Sequence, residues 1–411
     1  MARELAALPG VAGARAETGG IEFEGDLATG LRANLRLRGA TRILLRVGTL
    51  RARDFDALRR GVARLGWKDL LPANARVGIH VSQRGSRLYH TGAVAERIGE
   101  ALRDACGGEL ACVPAADADQ SVFARGVRDR WTLSLDASGE RLDRRGWRLE
   151  RGAAAMRETL AALVLALSEW DGAQPFVDGL CGSGTFAIEA AQIALGIAPG
   201  MGRHFACERW RCADPEVALQ LRHEADALRR TAAAEPILAA DRSPRALAAA
   251  ARNAERAGVA AAIRFAACEF AALEPPAPTG LVALDPPYGR RLASRSAAQA
   301  GYAELALALR ARWSGWRVAV LAPSSSSCTA SRAERSRDTS CRTAACVFTS
   351  ECSISTRRSP AGLTPLACGS LRAPCGRLRR DRKALRPGPA RSVLRRRKRS
   401  ARSAAARCAL R

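Results

Sequence analysis

The sequence predicts an α/β protein: a doubly wound, mostly parallel sheet preceded by a smaller α+β region. Three observations predict this fold class. Strand patterns alternate with helical patterns over residues 151–322. A Gly-Ser-Gly turn at 182–184 joins the first of these strands to a helix, and acids end that strand and two later ones. The segment before residue 150 mixes strands and helices in an α+β order.

Local patterns give the elements in order. In the first 150 residues the expected strands are Ile21–Glu24, Thr41–Val47, Val77–Val81 and Arg130–Asp136, and the expected helices are Leu27–Leu37, Phe55–Leu65 and Val94–Ala105. In the second part the expected strands are Phe176–Asp178, Pro236–Asp241, Ile263–Phe265, Leu281–Asp285 and Arg317–Ala322, and the expected helices are 153–167, 187–194, Val217–Arg230, Pro244–Ala257 and Ala297–Trp313. Strands separated by helices imply parallel pairing, with ligands at the carboxyl ends of the strands.

Composition shifts divide the chain into four parts. We expect a small segment of mixed structure at 1–40, an α+β domain at 41–150, the α/β domain at 151–322 with an insertion at 199–235, and a basic low-complexity tail at 323–411 without sustained periodicity. The tail has two interpretations, a nucleic-acid-binding arm or a slip of reading frame in GC-rich coding DNA. The slip is favoured because a parallel sheet should not stop after its fifth strand with an edge left bare.

Length and charge bound the class of protein. The 411 residues are 47% hydrophobic, and no apolar run approaches the ~20 residues of a membrane helix, so a cytoplasmic protein is expected. The net charge of +26 suggests a polyanionic partner. Residues 324–411, however, hold 22 Lys and Arg against 4 Asp and Glu, so the rest of the chain is only mildly basic.

The cysteines and histidines give no metal signature. None of the 13 cysteines forms a Cys-x-x-Cys pair, and the four histidines are not at ligand spacing. Cys181 beside the glycine turn is either a nucleophile or, more simply, a small packed residue, because no base lies near it in sequence. No metal, membrane or obligate protein partner is expected.

The first candidate binding residues surround the glycine turn. Asp178 ends the strand, and Gly182 and Gly184 allow a ligand to lie against backbone N–H groups of the following helix. Asp241 ends the second strand, where an acid can hold ribose hydroxyls, and Glu269 follows the third. Asp241 stands 57 residues after Gly184 rather than about 20, which disfavours a nicotinamide dinucleotide.

The candidate catalytic residues end the fourth strand, in the order Asp285, Pro286, Pro287 and Tyr288. The prolines lack N–H groups and stiffen the backbone, so the Asp285 carboxylate and the Pro286 carbonyl are fixed acceptors for an amine. Tyr288 offers a face on which a base can stack. Such a set suits the exocyclic amine of a flipped-out nucleobase, although Asp-Pro-Pro is also a good turn signal.

These motifs in this order resemble class I S-adenosylmethionine-dependent methyltransferases that act on exocyclic amines. More narrowly, the chain resembles the bacterial THUMP-domain methyltransferases of 23S ribosomal RNA that make N2-methylguanine, over roughly residues 20–322. The further motifs that carry the likeness are Gly85-Ser-Arg-Leu-Tyr-His-Thr-Gly, Leu133-Ser-Leu-Asp-Ala-Ser-Gly-Glu, Arg144-Arg-Gly-Trp-Arg, Arg157-Glu-Thr-Leu and Ile197-Ala-Pro-Gly with Trp210.

The resemblance implies a ferredoxin-like remnant at 1–40, a THUMP-type RNA-binding domain at 41–150 and a Rossmann-like methyltransferase domain at 151–322. It also implies S-adenosyl-L-methionine as cofactor and ribosomal RNA as partner. It implies that Asp178, Gly182 and Gly184 cradle the methionine part of the cofactor, with Cys181 in the same turn, and that Asp241 holds the ribose. It places Glu269 near the adenine, and the guanine at Asp285 and Tyr288. Independently of the resemblance, basic residues before the glycine turn make an RNA-facing surface plausible: Arg84, Arg87, Arg125, Arg128, Arg130, Arg141, Arg144, Arg145 and Arg148.

The chain departs from the family pattern in several places. Gly179 stands where the family usually has proline, the amine motif opens with Asp285 rather than asparagine, and the last strands of the sheet are missing from the pattern. Three functions therefore compete: N2-guanine methylation of 23S RNA, the same chemistry on transfer RNA guanine or on adenine N6, and RNA binding by a catalytically impaired protein.

Overall fold

The computed structural model describes residues 1–17, 19–150, 156–286 and 295–322, and the backbone of 344–349 and 406–410. Within 295–300 only the backbone is described. All of these residues belong to one compact unit, Met1–Ser353 with Ala405–Arg411. Among the described helices, none is long and apolar enough to span a membrane.

The elements follow the order that the patterns predict, with additional elements before residue 150 and two additional strands beyond residue 322. The helices are α1 (Ala2–Ala6), α2 (Leu27–Arg36), α3 (Phe55–Ala63), α4 (Thr91–Ala105), α5 (Glu158–Leu167), α6 (Thr185–Ala194), α7 (Pro215–Asp226), α8 (Pro244–Arg256) and α9 (Arg295–Arg312). The strands are β1 (Ala12–Glu17), β2 (Gly20–Gly25), β3 (Ile43–Arg51), β4 (Arg76–Arg84), β5 (Ala111–Cys112), β6 (Gln120–Val127), β7 (Arg130–Asp136), β8 (Phe176–Asp178), β9 (Ile237–Asp241), β10 (Arg264–Ala267), β11 (Gly280–Leu284), β12 (Trp316–Ala322), β13 (Ala344–Thr349) and β14 (Ala406–Leu410).

Short polar side chains start several helices. Asp26 caps α2 by accepting a hydrogen bond of 2.7 Å from the Thr29 amide, and Ser243 caps α8 in the same way before Pro244 at its first turn. An N-cap of this kind satisfies amides that have no partner inside the helix. The sequence therefore sets these helix starts locally.

The first sheet has the strand order β1-β2-β14-β3-β7-β6-β4-β5 in the part of the chain that is described. Strands from 1–40 and from 41–150 thus share one sheet, with β14 pairing β2 on one side and β3 on the other. One face of this sheet is covered by α3 and α4, where Leu58, Trp131 and Leu133 belong to a single buried cluster. The alternation of strand residues leaves the opposite face polar.

The predicted insertion 199–235 packs into the core of this first region. Phe205 and Trp210 are buried in the same cluster as Trp131. The Trp210 Nε1–H donates a hydrogen bond of 3.0 Å to Gln120 Oε1, and the Gly200 amide donates one of 3.0 Å to the Leu35 carbonyl. The insertion therefore joins the two halves of the chain through buried contacts.

The second sheet has the order β10-β9-β8-β11-β12-β13 within the described residues. The first five strands run parallel, and β13 pairs antiparallel with β12, so the structure adds a strand beyond the five that the patterns predict. Chain order reverses at β8, which lies between β9 and β11. Ligands of such sheets bind at this switch point, beyond the carboxyl ends of the strands.

A buried ion cluster connects α6 of this sheet to the first region. Glu189 of α6 is fully buried and lies 3.2 Å from Arg145 and 3.4 Å from Arg38. Arg145 also donates a hydrogen bond of 2.7 Å to the Arg38 carbonyl. The Arg148 side chain is 9% exposed and lies 3.2 Å from the buried Glu158. The prediction that Arg145 and Arg148 face RNA is therefore wrong, because both are needed to neutralise buried carboxylates.

We predict that Glu189→Gln lowers the free energy of unfolding by about 3–5 kcal/mol, because removing one member of a buried ion cluster leaves the others uncompensated. Urea unfolding followed by tryptophan fluorescence measures this loss. Asp104→Asn, at the exposed ion pair with Arg59, is the matched control and should leave the midpoint nearly unchanged. Equal small effects of the two variants would contradict the prediction.

Candidate active site

The turn after β8 is built by backbone contacts. Gly182 and Gly184 have φ of +53° and +86°, which glycine adopts without strain. The Gly184 amide donates to the Cys181 carbonyl at 2.8 Å, and the Cys181 amide donates to the Ala240 carbonyl of β9 at 2.9 Å. The turn is thereby fixed to the neighbouring strand, and α6 begins directly after it.

The two glycines serve different purposes. A Cβ on Gly184 would lie 2.9 Å from the Cβ of Ala250, so this glycine lets α8 pack closely against the turn. A Cβ on Gly182 would meet no atom within 4 Å among the described residues. The Gly182 position therefore opens into free space, as a surface against which a ligand can lie.

Gly179 has a packing explanation that local sequence does not reveal. A Cβ at this position would lie 2.6 Å from Phe270 and 2.7 Å from Leu284. The Gly179 amide donates to the Ala283 carbonyl at 3.1 Å. The Phe270 ring thus occupies the space where a side chain at 179 would be, and the turn is held without the family's proline.

Asp241 supports the turn as well as facing it. One carboxylate oxygen accepts a hydrogen bond of 2.9 Å from the Gly182 amide, and the other accepts one of 2.9 Å from the Ser243 amide. Each carboxylate oxygen keeps a further lone pair for a ligand hydroxyl. Asp241 is half-buried, so such a hydroxyl can reach it.

Asp178 is the most perturbed carboxylate of the site. Its side chain is buried, its Oδ2 accepts a hydrogen bond of 3.2 Å from the Ala187 amide of α6, and its Oδ1 has no partner among the described residues. Burial, reinforced by the nearby carboxylates of Asp285 and Asp241, raises the pKa of Asp178 to about 8. Three acids from adjacent strand ends therefore share one electrostatic neighbourhood, which favours a cationic ligand.

The other predicted residues occupy distinct positions. Asp285 directly follows β11 and is half-buried, and Pro286 is buried. Pro287 and Tyr288 lie outside the described residues. Glu269 is largely exposed beyond β10, 3.8 Å from Arg242, and does not join the three acids.

Cys181 matches the packed interpretation rather than the nucleophilic one. Its side chain is buried, and burial together with Asp178 and Asp241 raises the pKa of the thiol. A thiol held protonated in this way is a poor nucleophile. In the described ranges no group of three or more His, Cys, Asp or Glu side chains could hold a metal ion.

Two residues hold the glycine turn and the start of α6 in ways that the sequence did not predict. Asn253 of α8 is fully buried and donates to the Ser183 carbonyl at 3.1 Å and the Glu150 carbonyl at 3.0 Å, which ties the turn to the segment before it. Arg148 donates a hydrogen bond of 3.0 Å to the Thr185 hydroxyl at the start of α6. The presence of Asn253 among the alanines of α8 was the one sequence feature that could have indicated such a role.

The switch-point glycine turn and the acids ending three adjacent strands define a class I methyltransferase domain. The family model of UPF0020, an RMKL-like methyltransferase domain, matches residues 145–352, and the chain belongs to this family. A second model, the RlmL ferredoxin-like domain, matches residues 1–44. The methyltransferase match extends past residue 322 and includes β13.

Curated relatives agree with the family. "Ribosomal RNA large subunit methyltransferase K/L" of Marinobacter nauticus is 36% identical over 315 residues, which are 73% of this chain and 43% of the relative. The chain thus spans less than half the length of the K/L relatives that it matches. "Putative RNA methyltransferase YpsC" of Bacillus subtilis is 32% identical over 295 residues, which are 71% of this chain and 77% of the relative.

Solved structures share the fold across both regions. A structure described as a predicted N6-adenine-specific DNA methylase from Listeria monocytogenes is 30% identical, with a TM-score of 0.75 over 84% of this chain and 92% of that one. SMU.472, described as a methyltransferase complexed with SAH, is 27% identical, with a TM-score of 0.76 over 85% of this chain and 94% of that one.

The raised pKa of Asp178 predicts an unusual pH dependence of stability. Between about pH 4 and 8 the folded protein holds a proton on Asp178 that the unfolded chain has released, so stability falls as pH rises. Asp178→Asn should remove this slope and raise stability at pH 8 by roughly 1–3 kcal/mol. Thermal unfolding from pH 5 to 8 measures it, with Asp117→Asn as the exposed control. An unchanged slope in the Asp178 variant would refute the assignment.

The contact of Gly179 with Phe270 predicts a coupled pair. Gly179→Ala should destabilise the protein by about 1–3 kcal/mol, because the new methyl group overlaps the ring. Adding Phe270→Leu should recover part of that loss, which a double-mutant cycle in urea measures. Gly202→Ala, at an exposed glycine with open space, is the control. Purely additive losses would speak against direct contact.

Proposed function

We propose that the chain is an S-adenosylmethionine-dependent RNA methyltransferase that methylates the exocyclic N2 amine of a guanine in 23S ribosomal RNA. The observation that carries this proposal is the buried Asp178, one oxygen of which has no partner among the described residues, with two further acids beside it. Such a site is incomplete without a positively charged ligand. The match covers only 43% of the K/L relative, so the activity of that whole protein cannot be transferred to this chain. The proposal therefore depends on the residues that this chain itself contains.

The residues of the site fit S-adenosylmethionine, the cationic relative of the SAH in the SMU.472 structure. Asp178 and the open backbone at Gly182 would hold the amino-acid part of the cofactor. Its ammonium group can donate a hydrogen bond to Asp178 Oδ1, which has no partner among the described residues. Asp241 would accept hydrogen bonds from the ribose hydroxyls, and Glu269 would lie toward the adenine. When bound, this cofactor supplies an electrophilic methyl group.

The acceptor nucleotide belongs at the end of β11. A guanine N2 amine is a weak nucleophile because its lone pair is delocalised into the ring. The Asp285 carboxylate and the Pro286 carbonyl are acceptors on a stiff backbone, and they can hold both N–H bonds of the amine so that the nitrogen is positioned for attack. Tyr288 would stack on the base.

RNA as substrate rests on the names of the relatives and on the first region of the chain. Both the K/L protein and YpsC are named as RNA methyltransferases. The match to the RlmL ferredoxin-like domain and the family likeness of residues 41–150 support a region that binds RNA. Adenine N6 is the competing target, because the Listeria neighbour is described as an adenine-specific methylase.

The test is transfer of tritiated methyl groups to unmodified 23S RNA, followed by nucleoside analysis. We expect N2-methylguanosine, and a loss of at least about 100-fold in rate for Asp285→Ala, because this variant removes one of the two oriented acceptors. Asp104→Asn, exposed on α4, serves as the control with unchanged rate. Methyladenosine as product would overturn the guanine assignment.

Calorimetry with S-adenosylmethionine separates binding from catalysis. The wild type and Asp285→Ala should bind the cofactor alike, whereas Asp178→Ala should bind it at least about tenfold more weakly, since it loses a charge-assisted contact. Failure of the wild type to bind at millimolar cofactor would reject the enzyme and leave a catalytically impaired RNA-binding protein.

A further inference from the structure

The polar face of the first sheet carries a set of arginines without acidic partners. Arg51, Arg130 and Arg84 lie in one row across β3, β7, β6 and β4, as the strand registers show. Arg125 lies on the same face, one row further along. In the part of the chain that is described, none of these four side chains forms an ion pair, while the acids that line this face, Glu17 and Glu22, are paired with Arg46.

The row places like charges directly opposite each other. Arg51 and Arg130 are cross-strand partners, an arrangement that destabilises a sheet in the absence of a counter-charge. Nothing in the packing requires arginine here, because both side chains are exposed. A polyanion lying along the row would remove the repulsion.

Two aromatic rings lie on the same face. His80 and Phe123 are cross-strand partners with ring centroids 4.6 Å apart and planes 10° apart, and Arg42 lies over the Phe123 ring at 5.6 Å. β5 pairs with β4 only at Arg76 and Val77, so no described strand flanks His80 on its outer side. Burial and Arg42 lower the pKa of His80, which keeps the imidazole neutral. The stack can therefore be extended by another planar ring.

A groove of about 250 Å³ lies between the Phe123 ring and the side chains of Arg125 and Arg130. Hydroxyl groups of Thr49, Thr132 and Ser134 on neighbouring strands also line it, and so do Glu17 and Glu22, which are paired with Arg46. Aromatic rings, a basic groove and hydroxyl groups are the elements that single-stranded nucleic acids require of a binding surface. A duplex keeps its bases stacked inside and could not use the rings.

We propose that this arginine–ring face, formed by Arg51, Arg84, Arg125, Arg130, Phe123 and His80, binds a single-stranded segment of the RNA substrate. The proposal rests on the proposed function, since it assumes that the methyl acceptor is RNA. It assigns phosphates to the arginine row and an unstacked base to the ring pair. The helices α3 and α4 cover the opposite face and take no part.

The test measures binding of the full chain to a fluorescein-labelled single-stranded RNA of about 12 nucleotides, by anisotropy across a range of salt. Arg125→Gln with Arg130→Gln should weaken binding by about tenfold or more and reduce the salt slope by about 1.4, from ~0.7 for each phosphate contact. Phe123→Leu and His80→Ala should weaken binding by about fivefold or more through lost stacking, with the salt slope unchanged.

Matched controls lie on the helical face. Arg60 of α3 and Arg103 of α4 are also exposed and without ion pairs among the described residues, so Arg60→Gln with Arg103→Gln removes the same charge from the opposite side. This double variant should bind within about threefold of the wild type. Circular dichroism and thermal melting should show that all variants keep the wild-type fold.

Photocrosslinking distinguishes this face from the basic tail, which can also attract RNA. RNA carrying 4-thiouridine should crosslink to peptides containing His80 or Phe123. Crosslinks confined to 324–411, equal losses in both double variants, or preference for a blunt duplex or an acidic peptide would each overturn the proposal.

Methyl transfer to RNA is measured in parallel, to separate this proposal from the proposed function. If the wild type methylates RNA and the variants of the arginine–ring face bind RNA normally, the proposed role of this face is refuted and the proposed function is not. RNA binding at the face without methylation refutes the proposed function instead.

Discussion

The buried charge of Glu189 is the constraint on which the arrangement of the chain depends. A carboxylate without access to water must be compensated, and its partners here, Arg38 and Arg145, come from segments that precede the glycine turn. Helix α6, which starts at that turn, is thereby fixed against the first region. The glycine turn and the surface proposed for RNA consequently share one framework.

The site itself is held in an unfavourable electrostatic state. Asp178, Asp241 and Asp285 come together because three parallel strands end side by side, and their mutual repulsion adds to the effect of burial on the pKa of Asp178. The backbone amides of Gly182, Ala187 and Ser243 offset part of the repulsion. Folding already supplies the free energy that brings the three acids together. A cationic ligand therefore binds this preorganised site without having to assemble it.

Local patterns were sufficient for the parts of the fold that depend on short-range order. The strand ends at Asp178 and Asp241, the acid at 285 directly after β11, and the helix starts at Asp26 and Ser243 could be predicted, because hydrophobic periodicity and capping chemistry act within a few residues. The same periodicity predicted the fold class, which the solved structures share. The roles of the site residues remain proposals.

Long-range packing could not be predicted in the same way. Arg145 and Arg148 look like surface residues in sequence, and only the tertiary structure shows their distant carboxylate partners. Gly179 appeared in sequence only as a departure from the family's proline, because the ring that packs against it, Phe270, comes from beyond another strand end. Arg84, Arg125 and Arg130 could be recognised in sequence as candidates for an RNA-facing surface. Their assembly with two aromatic rings into one face could not be predicted, because four strands form that face and their order is not evident along the chain.

The insertion has a consequence for how such chains are modified or recombined. Phe205 and Trp210 are encoded within the methyltransferase half but complete the hydrophobic core of the other half. Neither half therefore has a complete hydrophobic core of its own. A chain cut between them would expose two large aromatic side chains and leave a cavity in the partner, so evolutionary exchange or laboratory swapping of the first region must carry residues 199–235 with it.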